Sequence, residues 1–209
     1  SGPGAPSTVQ YLQDHGIKLA LVLDEGGMIL EEPVGGVKGT YGMVGVLEKG
    51  YGDVKFIAKG NGGHASAPKK NTPLVRLGKF MTDVEKKSPF KRQFSPTVRE
   101  MFRRMAPNMN FGMKLIFANM WLFEGLFDQV CKMSGGELNA MIRTTCAMTK
   151  MEGSKAYNVI PPTASVGMNL RLMNGDTVES AKAYLEKVID NPNLEVAVVE
   201  GENPSPDSD

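Results

Sequence analysis

The chain has 209 residues, 41% hydrophobic and 22% charged, with a formal net charge of +1. That composition suits a globular piece with one sizeable core or one and a half domains, and the charge implies no acidic partner. Lys and Arg are scattered rather than banded, so no nucleic-acid footprint is expected, and Cys131 and Cys146 sit in no Cys-x-x-Cys pair, which argues against a metal or redox motif and for buried free thiols.

Residues 1–6 are small and polar, unlike a signal peptide, and read equally as an artificial leader or as native chain. Residues 8–15 look like the end of a helix closed by Gly16. The apolar run 19–23 ends in Asp24 and suits a buried parallel strand delivering a carboxylate at its C-terminal edge. Residues 35–50 hold six glycines and one expected short strand over 43–47.

Residues 51–59 alternate, with Val54, Phe56 and Ala58 on one side of a strand. Asn71-Thr72-Pro73 opens a helix whose stripe is Leu74, Leu77, Met81 and Val84. A Met- and Phe-rich helical insertion is expected over about 89–134. It reads either as an amphipathic helix pair packed on the neighbouring sheet or as a pliable apolar wall for a substrate's acyl chain. Its most apolar stretch, 111–130, carries Lys114, Glu124 and Asp128 and is too broken for a membrane span, so no membrane partner is expected.

Strands are expected over 140–152 and 165–173. A capping box at Asp176-Thr177-Val178-Glu179 starts a helix with the stripe Ala181, Tyr184, Leu185 and Val188, and a strand over 194–199 and a Pro-rich linker close the chain. The order strand, helix, insertion, strand, strand, helix, strand is the ferredoxin-like α+β pattern, an antiparallel sheet with both helices on one face.

Three polar residues stand out: His64 within Gly62-Gly63-His64-Ala65-Ser66-Ala67-Pro68, Asn158 before Val-Ile-Pro-Pro, and Arg171 thirteen residues on. They supply an imidazole, a carboxamide and a guanidinium, the groups a protein aims at an oxyanion and a carboxylate. Taken singly, each has an ordinary reading as a turn, a loop or a solvated charge. The nucleotide-loop reading of Gly60-Asn61-Gly62-Gly63 fails because no Lys-Ser or Lys-Thr follows.

These stretches, with Leu21-Val22-Leu23-Asp24-Glu25-Gly26-Gly27, resemble the zinc aminoacylase and carboxypeptidase family that includes glutamate carboxypeptidase, carnosinase and succinyl-diaminopimelate desuccinylase. The last motif points to the carboxypeptidase S and N-acyl-amino-acid hydrolase branch. The resemblance implies that residues 1–50 belong to a catalytic α/β domain, 51–200 to a lid and dimerisation domain, and 201–209 to a linker. It implies a parent enzyme with two zinc ions that cleaves the amide of a peptide or N-acyl amino acid, and a homodimer through the lid.

Carried over residue by residue, His64 matches the lid His that stabilises the oxyanion. Asn158 and Arg171 match substrate-binding residues, with Asn158 open between a carboxylate and the tetrahedral oxygen, and Asp24 matches one metal ligand. The family's His-x-Asp pair has no counterpart, since His15 and His64 are the chain's histidines and neither is followed by x-Asp. A catalytic zinc needs about three protein ligands, so no zinc is expected on this chain alone. The compartment is not readable beyond a reducing, cytoplasmic setting that would suit free thiols. The competing expectation is a stand-alone ferredoxin-like module that dimerises or binds small molecules without catalysis.

Overall fold

The computed structural model describes residues 4–23, 26–33, 37–134, 136–188 and 194–205. Its centre is a four-stranded antiparallel sheet in the order β5-β7-β3-β8, made of β3 (Gly50–Lys59), β5 (Thr145–Glu152), β7 (Thr163–Leu172) and β8 (Leu194–Glu202). Helices α2 (Pro73–Lys86) and α7 (Val178–Val188) both contribute to the core on one face of this sheet. That is the ferredoxin-like arrangement the element order predicts.

The period-2 pattern of β3 is real. Val54, Phe56 and Ala58 are buried, and they meet Val166, Met168 and Leu170 of β7 with Leu77, Phe80, Ala181 and Leu185 from the helices. Phe56 and Phe80 pack ring on ring at 4.4 Å. Along β7 the opposite alternation leaves Arg171 exposed between the buried Leu170 and Leu172. β3 and β7 pair from Gly50↔Leu172 to Lys59↔Thr163 without interruption.

Gly50 is needed where the first and last strands close on the chain that follows. A Cβ there would sit 2.5 Å from Glu202 O and Pro204 N, closer than backbone atoms allow.

The insertion builds a second core of its own instead of lying flat on the sheet. Helices α3 (Pro96–Met105), α4 (Phe111–Ala118), α5 (Met120–Ser134) and α6 (Gly136–Met141), with a 3-10 turn at Ala106–Asn108, gather Phe94, Val98, Phe102, Phe117, Phe127 and Ile142. Phe102 stacks on Phe117 at 4.8 Å and meets Phe127 edge-on at 4.9 Å. Ser95 caps α3 and Asn110 caps α4, each side chain accepting a backbone N–H three residues on. Val37, from the segment before β3, is buried in this same core and bridges Met109.

Four expectations need correction. Residues 19–23 form no strand, and Leu21, Val22 and Leu23 are exposed, since no strand among the described residues pairs with them. The strand expected at 43–47 is replaced by a hairpin of β1 (Met28–Glu31) and β2 (Thr40–Met43). The strand expected from 140 begins only at Thr145, since α6 runs to Met141 and the buried Thr144 anchors the turn, its Oγ1 donating to Asp176 and accepting from Met173 N.

Asp176 is thereby used, and the cap of α7 moves one residue on, where Thr177 and Ser180 exchange side-chain to backbone hydrogen bonds. By contrast Gly16, at φ +64, ends α1 (Gly4–Asp14) as expected, with Ile17 N donating to Leu12 O.

Both thiols are quiet. Burial pushes the Cys146 thiol up to about 12, and burial with the nearby Asp128 carboxylate raises Cys131. Native protein at pH 8 is therefore expected to resist maleimide or disulfide-reagent labelling that denatured protein undergoes at both sites. Because the folded Cys146 keeps its proton to about 12 and the unfolded thiol loses it near its ordinary 9, this contribution to stability is full below 9 and declines from there to 12. Labelling of Cys146 within minutes on folded protein would contradict the burial.

Candidate functional site

Past Lys59 the ladder between the two central strands continues, Gly60 N donating to Pro162 O at 2.7 Å. The chain then turns at Gly62, whose φ of +64 and 3.1 Å Cβ distance to Ile160 O both favour glycine. It forms a two-stranded ribbon, β4 (Gly63–His64) against β6 (Val159–Ile160), with His64 opposite Val159. Ala65 N donates to Asn158 O at 2.9 Å. His64 and Asn158, ninety-four residues apart in sequence, thus share one ribbon beyond the end of the sheet, both exposed.

The imidazole of His64 is held from behind. Its Nδ1 lies 2.7 Å from Ser66 Oγ and 3.2 Å from Ser66 N. An amide N–H only donates, so Nδ1 is the acceptor and the ring proton of the neutral imidazole sits on Nε2. His64 is therefore presented as an outward N–H donor. Ser66 lies inside the motif picked out in the sequence, but its role was not legible there, since it depends on the turn that brings its own N–H back to Nδ1.

Arg171 is elsewhere. It stands opposite Tyr51 and Thr145, on the sheet face that the helices leave open. Eight residues of extended β7 separate it from Thr163, about 26 Å at about 3.3 Å per residue. Among the described residues its guanidinium has neither an ion pair nor a hydrogen bond. Its end of the face is otherwise acidic. Asn169 Nδ2 donates to Asp53 Oδ1 at 2.7 Å, and burial together with Glu202, Glu200 and Asp53 raises the Tyr51 phenol. One chain therefore joins His64 to Asn158 and keeps Arg171 apart.

Asp24 lies outside the described residues, and among those described no group of three His, Cys, Asp or Glu side chains gathers as a metal site. These residues do not fit a zinc centre.

A family model described as a peptidase dimerisation domain matches residues 46–197, a span that takes in β3, β5 and β7, the start of β8, the insertion and the ribbon. The chain belongs to the M20 peptidase dimerisation-domain family. Over 207 residues this dimerisation domain is 32% identical to the N-fatty-acyl-amino acid synthase/hydrolase PM20D1 of Homo sapiens, covering 99% of the chain and 41% of the relative. It is 31% identical to the PM20D1 of Xenopus tropicalis, covering 97% and 40%. It is 30% identical to the probable carboxypeptidase S-like 2 of Dictyostelium discoideum, covering 85% and 34%.

The chain thus spans about two-fifths of the PM20D1 relatives' length. Among solved structures, the dipeptidase Dug1p of Saccharomyces cerevisiae matches with a TM-score of 0.49 at 12% identity, over 78% of this chain and 38% of that one.

Proposed function

We propose that this domain is the dimerising portion of a longer hydrolase that cleaves the amide of an N-acyl or C-terminal amino acid, and that it supplies two contacts to substrate. His64 donates Nε2–H to the oxygen that becomes negative as the amide carbonyl is attacked, and Arg171 holds the free carboxylate in a bidentate grip. Asn158, in the same ribbon as His64, serves the tetrahedral oxygen. Any zinc that the family implies for the longer enzyme would be held by residues other than those described.

The observation that carries this reading is a pair of exposed donors, each left without a protein acceptor among the described residues. The ribbon presents a donor whose tautomer is fixed by its own turn, and the open face presents a guanidinium with no protein partner among the described residues. A module built only to dimerise has no use for either.

Distance adds a constraint. The amide carbonyl and the carboxylate of one amino acid are a few bonds apart, within about 5 Å by ordinary bond lengths. The roughly 26 Å of β7 between the ribbon end and Arg171 cannot serve one such substrate from one chain. The two contacts therefore come from two copies, which the family's name for the domain supports.

The test is kinetic, in a protein of the relatives' length. Arg171→Ala is expected to raise the Michaelis constant for an N-acyl amino acid by about tenfold to a hundredfold, the range of a lost charge-assisted pair. Arg171→Lys recovers only part, because an ammonium cannot reproduce the planar fork. An unchanged Michaelis constant in both variants, or no hydrolysis by the unmodified protein, overturns the reading.

A further inference from the structure

The α4–α5 segment carries apolar residues on its outer face as well as on its core face. On α5 the acidic residues Glu124 and Asp128 are partly buried and ion-paired, Glu124 with Arg99 at 2.7 Å and Asp128 with Arg92. The residues at 121, 122, 125, 126 and 129 fall on one helical face, and there Trp121 and Leu122 are 77% and 61% exposed. On α4 the outward stripe is Phe111, 82% exposed, with Leu115 and Lys114. Both stripes turn away from the core that Phe117 and Phe127 share. Large exposed apolar faces of this kind mark interaction sites.

Charge selects the partner. Residues 89–134 carry seven basic side chains against three acidic ones, four positive charges in excess, while the whole chain carries only one. All three acids, Glu100, Glu124 and Asp128, are ion-paired within the segment. Lys91, Lys114 and Lys132 are exposed and have no acidic partner among the described residues. An apolar stripe with an exposed Trp, flanked by Lys114 and Lys132, matches anionic headgroups over acyl chains, whereas a second copy would bring the same two positive charges and no unpaired acid of this segment to meet them.

We propose that this face docks on an anionic lipid–water interface, with the helices lying along the surface. No helix of the described residues is long and apolar enough to cross a membrane. The expectation of no membrane partner followed from that span criterion, which does not bear on surface docking.

Trp121 is the chain's one tryptophan, so its fluorescence reports this face alone. Adding phosphatidylcholine vesicles that contain phosphatidylserine is expected to blue-shift its emission and allow quenching by brominated lipid, and raising the salt should weaken both. Leu122→Glu with Leu126→Glu keeps the reporter and is expected to lower vesicle binding at least tenfold, and Lys114→Glu with Lys132→Glu to remove the preference for anionic lipid. No shift with any vesicle overturns the proposal. So does a shift that appears without lipid as protein concentration rises, which assigns the face to a second copy. A shift produced by a monomeric long-chain N-acyl amino acid but not by vesicles overturns it in favour of substrate.

Discussion

His64→Ala is expected to lower turnover of a full-length enzyme by about 100-fold, about 2.7 kcal/mol of transition-state stabilisation, with little change in the Michaelis constant. The reason lies in when the contact forms. In the proposed role the Nε2–H donor, fixed by the Ser66 N–H on Nδ1, would gain most when the carbonyl oxygen carries negative charge, which happens in the transition state and not in the bound substrate. An equal rise in the Michaelis constant would instead assign His64 to ground-state binding.

Co-expression of His64→Ala and Arg171→Ala subunits turns the distance between the two residues into a sharper measurement. If one substrate takes its oxyanion donor from one copy and its carboxylate grip from the other, each mixed dimer has one site with both defects and one with neither. Random assortment then restores about a quarter of wild-type activity at low substrate, half of the dimers being mixed and each holding one intact site of two. If both residues serve the same site from one chain, each site in the mixed dimer carries one defect and the activity stays at the level of the single variants. That outcome would sink the shared site.

What could be read without coordinates was local. The alternation of β3 and the stripes of α2 and α7 depend on residues two to four apart, and they fold as the pattern says except that Tyr184 of the α7 stripe is exposed and Phe80 joins the α2 stripe. Residues 19–23 show the opposite case. Their apolar run is a strand only if another strand pairs with it, and none does among the described residues.

Competition for one side chain misled the reading of Asp176, which serves Thr144 across thirty-two residues rather than its own helix. His64, Asn158 and Arg171 were legible as residue types, and resemblance supplied their roles. Their placement was not legible, because the ribbon needs Gly60 and Gly62 to carry the chain past the sheet, and the position of Arg171 follows from a ten-residue register with β3.

The insertion is expected to melt as a unit distinct from the sheet. Phe102→Ala removes a fully buried ring that touches both Phe117 and Phe127. Phe56→Ala removes an equally buried ring from the sheet core, where it packs on Phe80. Each costs about 3–5 kcal/mol by the usual scale for a buried aromatic cut to alanine.

The consequences should differ, because the two cores share no buried residue. A smaller unit opens at lower free energy than the whole domain. In hydrogen exchange, Phe102→Ala is expected to release the amides of α3 through α6 by a factor of a hundred or more, since each 1.4 kcal/mol is about tenfold, and to leave β3 and β7 protected. Phe56→Ala should release both regions, because the helical unit hangs from the sheet through the Arg92↔Arg143 bridge and the Lys49 ammonium on Ala140 and Arg143 carbonyls. Equal loss of protection in the sheet and in the helices of the Phe102 variant would show one cooperative core, and the face carrying Trp121 would then be as rigid as the strand carrying Arg171.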